Sequence, residues 1–340
     1  MGILGTLFSR LGTLTENREA VPFHILKGKH MAEANRTKYL RVASLVVGFV
    51  TLAGPLSAQE AVKHLNPVIE KLAAGKPFIG FQTGDLSLQN ARTLARADID
   101  YVYIEMEHGP MDFTGLHQFT VGMIDKAAIL KKGNAQPNVA IFARFAPYGR
   151  EQAQWVVKQA LDIGLMGVIF NGIDNAEQAL LAVRNMRYPQ RKTSKYPEPP
   201  GLRGYAPGVA VWWWGVSAAE YERRADLWPL NPDGDLLAIM MVETAEGLKN
   251  ADAIAAVPGV GAIFVGAGGD LHQYLGVDSN SPEVEEAFQV ILKACLAHNV
   301  ACGITALSAQ DIAKRLAEGW KMIRTTNAPL AQWRASSAGR

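Results

Sequence analysis

Residues 238–270 read AIMMVETAEGLKNADAIAAVPGVGAIFVGAGGD, and this stretch decides the fold. Two short apolar runs enclose an amphipathic helical pattern. Runs this apolar, separated by a helix, are typical of parallel strands that are buried on both faces. Glu243 directly follows the first run, and Asp270 follows the second after a glycine-rich turn. The stretch therefore predicts a β-α-β unit with a carboxylate after each strand.

The same alternation continues on both sides of this unit. The candidate strands are 78–82, 101–105, 139–144, 167–170, 238–242, 262–265, 301–304 and 321–324. The helical patterns between them are 88–97, 113–130, 150–163, 175–186, 246–256, 283–298 and 308–318. Gly164 and Gly319 stand where a left-handed helix cap is expected. Eight such units predict an α/β fold, a closed (β/α)8 TIM barrel, with an open doubly wound sheet as the alternative.

Residues 188–235 interrupt this alternation between the fourth and fifth strands. They include YPQRKTSKYPEPPGLRG, VWWWG and LWPLNPDGD, which are rich in proline, glycine and aromatic residues. We interpret them as a long insertion on the barrel rather than a linker. The Trp212–Trp214 run is expected to pack beneath it.

Composition excludes several classes of protein. The 340 residues carry 34 Lys+Arg and 32 Asp+Glu, for a net charge of +2, and 49% are hydrophobic. That is enough apolar material for a sizeable core, and the balanced charge gives no sign of nucleic-acid binding. Cys295 and Cys302, the two cysteines, are too few for a disulfide framework or a cysteine zinc site, and we expect both in the core.

The N-terminal region is predicted to be separate from the barrel. Residues 42–59, VASLVVGFVTLAGPLSAQ, contain no charge and follow Lys38 and Arg41, which is typical of a secretory signal peptide. A translation start at Met31 would give a leader of ordinary length, and a start at Met1 an unusually long one. We therefore predict an N-terminal extension over 1–58 and a single barrel domain over 59–340. A cleaved leader implies an exported or periplasmic protein; the alternatives are a membrane anchor or a cytoplasmic chain.

Several chemically useful residues lie at the carboxyl ends of different strands, at the end of a barrel where active sites lie. The second strand ends at Glu105, with His108 shortly after it, and the third ends at Arg144. Glu243 follows the fifth strand and Asp270 the sixth. Two carboxylates without clustered His or Cys suit Mg²⁺ or Mn²⁺, with the remaining positions taken by water or substrate. Arg144 suits a substrate carboxylate, and a His108 oriented by Glu105 could move a proton. Each residue taken alone also fits a structural role, so the prediction rests on their combination.

These segments carry a family resemblance. YVYIEMEHGPMDF, ARFAPYGREQAQWVVKQALDIGLMGVIF and MVETAEGLKNADAIAAVPGVGAIFVGAGGDLHQYLG resemble, in the right order, the HpcH/HpaI aldolases. The resemblance covers roughly residues 66–330. It implies a (β/α)8 barrel, commonly a homo-hexamer, that cleaves or forms 4-hydroxy-2-keto acids through a metal-bound pyruvate enolate. The implied partners are a 2-keto acid and an aldehyde, with Mg²⁺ or Mn²⁺ as the metal and Co²⁺ or Zn²⁺ as other possibilities.

The resemblance also assigns roles to residues. It implies that Glu243 and Asp270 bind the metal, that Arg144 contacts the keto acid, and that His108 and Glu105 form a proton-transfer pair. Gly268 and Gly269, with Asp270, fall in the substrate-binding turn. A weaker correspondence places Asp162 near a neighbouring subunit's site.

The chain also departs from the family pattern. Met241 replaces a common glutamine, Asn171-Gly172 replaces a proline, and the 266–271 turn is one residue longer. These changes leave the substrate open. One alternative is a lyase of CoA thioesters or another reaction of the related barrels; for a CoA ester, the only candidate basic cluster comprises Arg187, Arg191, Lys192 and Lys195. A second is an exported keto-acid-binding protein without catalysis.

Overall fold

The computed structural model describes residues 63–266 and 270–337, and eight parallel strands form its centre. The strands are β1 (Phe78–Thr83), β2 (Tyr101–Met106), β3 (Ala140–Tyr148), β4 (Gly167–Asn171), β5 (Leu237–Val242), β6 (Val260–Val265), β7 (Ala301–Thr305) and β8 (Met322–Thr325). Each strand pairs with the next one along the chain, and β1 pairs with β8 to close the barrel. The predicted (β/α)8 barrel is therefore confirmed, and the open sheet is excluded.

Helices surround the strands and cover their outer faces. They are α1 (Pro67–Ala73), α2 (Leu88–Leu94), α3 (Phe113–Gly122), α4 (Lys126–Lys132), α5 (Gln154–Ile163), α6 (Ala176–Met186), α7 (Gly208–Trp214), α8 (Ala218–Arg224), α9 (Ala245–Lys249), α10 (Ala251–Ala255), α11 (Asp270–Leu275), α12 (Pro282–Ala297), α13 (Ala309–Glu318) and α14 (Asn327–Ser337). All six residues of β5 and of β6 are buried, as expected of strands enclosed between a barrel interior and a helical layer.

Two of the predicted helices are divided in the structure. Asp125 interrupts the predicted helix 113–130, because its side chain accepts hydrogen bonds from the backbone N–H groups of Ala127 and Ala128 and so starts a new helix. Asn250 likewise ends α9 and begins α10 within the predicted helix 246–256. The stops at Gly164 and Gly319 are confirmed, with φ of 114° and 107°.

The insertion lies at the amino ends of the strands. It leaves the C-terminal end of α6 and enters β5, and it contains α7 and α8 as well as loops. Trp214 donates from Nε1 to the carbonyl oxygen of Gly164 at 2.8 Å, just before β4. Trp213 is also buried, whereas Trp212 is 59% exposed, so the expected packing holds for two of the three tryptophans.

Buried ion pairs hold the insertion in place. Arg187 is fully buried and donates from Nε to Asp226 Oδ1 at 2.7 Å and from Nη2 to the carbonyl oxygen of Tyr196, also at 2.7 Å. Asp235, at the entry to β5, accepts from Arg224 Nη1 at 2.8 Å and contacts His64 Nδ1 at 3.1 Å. These contacts connect the insertion to the beginning of the described chain.

The two cysteines are buried as expected, and they form a disulfide that the sequence did not predict. Cys295 lies near the end of α12, and Cys302 lies in β7. Their Cα atoms are 5.7 Å apart, because the short turn between α12 and β7 brings the helix back against the strand. The bond therefore joins the outer helical layer to the barrel.

The N-terminal prediction lies outside the described residues. The leader over 42–58 and the 1–58 extension therefore stay predictions, as does the boundary at residue 59. No helix within 63–266 or 270–337 has the length and apolar character needed to cross a membrane.

Reducing the disulfide is expected to lower the free energy of unfolding by about 2–3 kcal/mol, because the bond restricts the unfolded chain. Urea unfolding with and without dithiothreitol measures the difference. The Cys295→Ala/Cys302→Ala double variant is the control, since its unfolding midpoint should not respond to the reductant. A wild-type midpoint that is equally insensitive would contradict a stabilising role for the bond.

Candidate active site

The predicted site residues lie at the carboxyl ends of neighbouring strands. Glu105 is in β2, Arg144 is in β3, Glu243 directly follows β5 and Asp270 begins α11 after β6. His108 lies in the turn that follows β2. The barrel therefore brings all five residues to one end, as the positions of the strands predicted.

Arg144 and two glutamates form the centre of this site. Arg144 donates from Nε to Glu105 Oε2 at 2.9 Å, and its Nη2 binds the same oxygen. Its Nη1 lies 2.6 Å from Glu107 Oε2 and 3.4 Å from the sulfur of Met241. The guanidinium is thus fixed between two carboxylates, with the sulfur of Met241 beside it.

The predicted pairing of the His108 ring with Glu105 is wrong. Glu105 is occupied by Arg144 and by Gln82 Nε2 at 3.0 Å, and it reaches His108 only through the backbone N–H at 3.2 Å. The His108 ring contacts Glu107 instead, with Nε2 3.3 Å from Oε2. Strand alternation explains this, because Glu105 and Glu107 both face the interior and Glu107 lies nearer the open end.

Glu107 is a site residue that the sequence did not single out. Its side chain is 4% exposed and contacts both Arg144 and His108. Burial raises the pKa of its carboxyl, while Arg144 and His108 act against that rise. The sequence marks Glu107 only by its place between Glu105 and His108, in the EMEH segment.

Glu243 is a buried carboxylate with little compensation for its charge. It is 1% exposed, and Oε1 accepts a hydrogen bond of 2.8 Å from the backbone N–H of Gly172. Burial raises its pKa to about 7, the negative charges of Glu107 and Asp270 add to the rise, and Gly172 and Arg144 oppose it. A Cβ at Gly266 would lie 2.7 Å from Glu243 Oε2, so a glycine leaves room for this carboxylate.

Gly172 holds its N–H against Glu243 in a conformation that favours glycine. Its φ is 50°, and a Cβ there would collide with the ring of Tyr148. Tyr148, at the end of β3, is itself near the site: burial raises its pKa to about 12, with contributions from Glu243, Glu107 and Asp270. Gly172 thus supplies a direct contact to a site carboxylate.

The site carries more negative than positive charge, as a hard divalent cation would require. The charges of Glu107 and Asp270 both act on Glu243, and Arg144 is already shared by two glutamates. Within 63–266 and 270–337, no three His, Cys, Asp or Glu side chains are grouped closely enough to hold a metal by themselves. An ion at Glu243 and Asp270 would therefore need water or substrate as further ligands, and oxygen donors of this kind fit Mg²⁺ or Mn²⁺.

Two other predicted features remain predictions. Gly268 and Gly269 lie outside the described residues, so their proposed contact with substrate stays a prediction. Asp162 accepts a hydrogen bond of 2.8 Å from Arg203 Nη2, an arginine of the insertion. Its suggested place near a neighbouring subunit also stays a prediction.

Comparisons with known proteins identify similar chains. The family model described as HpcH/HpaI aldolase/citrate lyase matches residues 86–326. The hydroxypyruvate/pyruvate aldolase of Paraburkholderia phytofirmans is 30% identical over 260 residues, which cover 76% of this chain and 90% of that protein. The 4-hydroxy-2-oxo-heptane-1,7-dioate aldolase of Klebsiella pneumoniae is 30% identical over 261 residues, with 74% and 84% covered. The crystal structure of an HpcH/HpaI aldolase/citrate lyase family protein from Burkholderia cenocepacia aligns with a TM-score of 0.63 and 28% identity, covering 81% of this chain and 97% of that one.

Glu243→Gln is expected to stabilise the metal-free protein at high pH. A buried carboxyl whose pKa is raised from 4.5 to about 7 costs little below pH 4.5; the cost grows between pH 4.5 and 7 and is nearly constant above pH 7. At pH 8 the variant should gain about 3 kcal/mol in the free energy of unfolding, and at pH 4.5 the gain should vanish. Urea unfolding in EDTA measures this, with the exposed Glu286→Gln as control. An equal effect of Glu243→Gln at both pH values would contradict the assignment.

Gly172→Ala is expected to destabilise the protein by about 2 kcal/mol or more, because it forces a left-handed conformation and a collision with Tyr148. It should also displace the N–H group from Glu243. Thermal unfolding measures the loss of stability. Gly208→Ala is the matched control, since no atom lies within 4 Å of its Cβ position and its φ is not positive. Equal stability of the two variants would show that the Gly172 conformation is not required.

Proposed function

The chain belongs to the HpcH/HpaI aldolase/citrate lyase family and is a lyase of the aldolase type, and we propose that it is a divalent-metal-dependent aldolase of 4-hydroxy-2-keto acids. In cleavage it would release pyruvate and an aldehyde; in condensation it would join them. The observation that carries the proposal is the buried Glu243. Burial and the negative charges of Glu107 and Asp270 raise the pKa of its carboxyl, and Arg144 offsets this only in part.

Glu243 and Asp270 are the residues that would hold the metal. The contact from Gly172 fixes one oxygen of Glu243 and leaves the other beside Gly266. A bound divalent ion would supply Lewis-acid stabilisation of negative charge that develops on the keto oxygen of the substrate. Mg²⁺ and Mn²⁺ fit carboxylate and water ligands best, and Co²⁺ and Zn²⁺ are further candidates.

Arg144 would supply fixed positive charge beside the reacting carbons. Its position between Glu105 and Glu107 is set before substrate arrives, so little reorganisation accompanies the reaction. In cleavage the C3–C4 bond breaks and its electron pair passes to the pyruvate half. The nearby guanidinium would stabilise the charge that this half acquires.

His108 would move the proton of the 4-hydroxyl group. Its side chain is 66% exposed at the mouth and contacts Glu107, which is a suitable partner for an imidazole that gains a proton. In cleavage His108 takes the hydroxyl proton as the aldehyde forms. In condensation it returns that proton to the aldehyde oxygen.

The location and assembly of the protein are further parts of this proposal. The leader-like 42–58 segment and the Cys295–Cys302 disulfide both support export, because disulfides persist mainly in oxidising compartments. We also propose a homo-oligomer, with a hexamer suggested by analogy with the family. The ligands would be a small 2-keto acid and an aldehyde.

The CoA-thioester alternative gains no support from the insertion. Arg187, part of the basic cluster that would bind phosphates, is fully buried and paired with Asp226. Arg191 pairs with Glu222, with Nη2 2.6 Å from Oε1. The insertion itself lies at the amino ends of the strands, opposite the site. The following experiment distinguishes the aldolase from the second alternative, a keto-acid-binding protein without catalysis.

Pyruvate methyl protons are expected to exchange with deuterium when Mg²⁺ or Mn²⁺ is present, because the site would stabilise the enolate. NMR of protein that begins at Gln59 follows the exchange without any choice of aldehyde. EDTA should abolish it, and Glu243→Gln should slow it by about 100-fold or more, the scale of losing one stabilising group. Binding of pyruvate and metal without exchange would support the binding protein instead.

A further inference from the structure

Tyr148 is a tyrosine at the mouth of the barrel that the proposed chemistry does not use. It is the last residue of β3, and its side chain is partly exposed. Within residues 63–266 and 270–337, its hydroxyl group has no hydrogen-bond partner. A phenol that the fold does not use is available to a ligand.

Two contacts hold the Tyr148 ring in place. The ring lies so close to Gly172 that a Cβ at that position would collide with it. The guanidinium of Arg150 stacks over the ring, 4.7 Å from its centroid. The backbone is also fixed, because the Tyr148 N–H donates to Glu151 Oε2 at 2.7 Å and its carbonyl accepts from the Glu151 N–H at 2.8 Å. The position of the hydroxyl is therefore set by packing around the ring.

Strand pairing places Tyr148 one layer above Arg144, nearer the open end. Arg144 pairs with Ile169 and Tyr148 pairs with Asn171, with a shift in register between the two pairs. Ile169 and Asn171 are two residues apart on β4, so they face the same side of the sheet and differ in height by about 7 Å. Tyr148 therefore faces the interior, as Arg144 does, about 7 Å closer to the mouth.

The Tyr148 hydroxyl also lies near the carboxylates of the site. Burial raises its pKa to about 12, and the negative charges of Glu243, Glu107 and Asp270 add to the rise. The group therefore keeps its proton at neutral pH and acts as a hydrogen-bond donor. A donor held in place beforehand can stabilise negative charge that develops on a ligand oxygen.

The height of Tyr148 indicates which substrate oxygen it would meet. In the proposed function, the carboxylate and keto oxygen of the pyruvate half would lie at Glu243, Asp270 and Arg144. The aldehyde half enters and leaves through the mouth, so it would lie further out than the pyruvate half. Tyr148 stands in that outer layer, on the strand that carries Arg144.

We propose that Tyr148 is a further catalytic residue, which donates a hydrogen bond to the oxygen on C4 of the substrate. In condensation, C3 of the pyruvate enolate bonds to the aldehyde carbon, the carbonyl π pair passes to the aldehyde oxygen, and His108 supplies the proton. Tyr148 stabilises the charge on that oxygen and keeps its own proton. In cleavage His108 takes the hydroxyl proton, the C4 carbonyl forms, and the C3–C4 pair passes to the pyruvate half. This inference rests on the proposed aldolase function and adds a second group at the aldehyde oxygen.

Removing the hydroxyl should slow carbon–carbon cleavage without slowing enolate formation. Tyr148→Phe keeps the ring that packs on Gly172 and carries Arg150, so the fold should be retained. Deuterium exchange into pyruvate involves no aldehyde and should be nearly unchanged. Cleavage of 4-hydroxy-2-oxopentanoate with Mn²⁺ should lose about 10- to 100-fold in kcat/KM, the effect of losing one hydrogen bond to a developing charge. Lactate dehydrogenase and NADH follow the release of pyruvate.

Tyr205→Phe is the matched control, because Tyr205 lies in the insertion and is 59% exposed. It should leave both rates unchanged. Equal losses of exchange and cleavage in Tyr148→Phe would overturn the inference, since the hydroxyl would then act on the pyruvate half or on the structure. Unchanged cleavage, or a variant that fails to fold, would overturn it as well. Absence of exchange in wild type would instead overturn the aldolase function, and this inference with it.

Discussion

Crowding of negative charge around Arg144 is the constraint on which the rest of the site depends. Glu105 and Glu107 share this arginine, and Glu243 and Asp270 lie near enough for their charges to act on one another. Removing such carboxylates from water costs free energy unless cations or hydrogen bonds compensate. The shortage of positive charge around Glu243 is the physical reason to expect a bound cation there.

Hydrogen bonds from neighbouring strands and turns hold these crowded carboxylates in fixed positions. Glu105 accepts hydrogen bonds from Arg144, from Gln82 and from the backbone N–H groups of Glu107 and His108, so the arginine and the turn after β2 are fixed together. Gly172 and Gly266 shape the space around Glu243, one by its N–H group and the other by its missing side chain. Groups held in advance by their neighbours can stabilise charge without rearranging during a reaction.

The sequence predicts the fold better than it predicts the contacts within the site. Apolar runs and glycine caps follow from local rules, so the eight strands and the ends of α5 and α13 were predictable. The strand ends also located Glu105, Arg144, Glu243 and Asp270. The partner of the His108 ring was not predictable, because two glutamates at alternate positions face the same interior and only packing decides between them. Likewise the contact of Gly172 with Glu243 depends on neighbouring strands rather than on nearby sequence.

The same reasoning applies outside the site. The division at Asp125 depends on a side-chain cap, and the one at Asn250 on where α9 ends, neither of which an amphipathic pattern contains. The disulfide depends on how α12 returns to β7, a tertiary feature that cysteine counting could not supply.

The central claim is that Glu243 and Asp270 hold a divalent ion beside Arg144. Crystals grown with Mn²⁺ and pyruvate test it directly through the anomalous signal of the metal. The account predicts one strong peak in contact with Glu243 and Asp270, with pyruvate next to it and Arg144 alongside, and no such peak in Glu243→Gln. Pyruvate bound in the mouth with no metal at these carboxylates, or with the metal elsewhere, would contradict it.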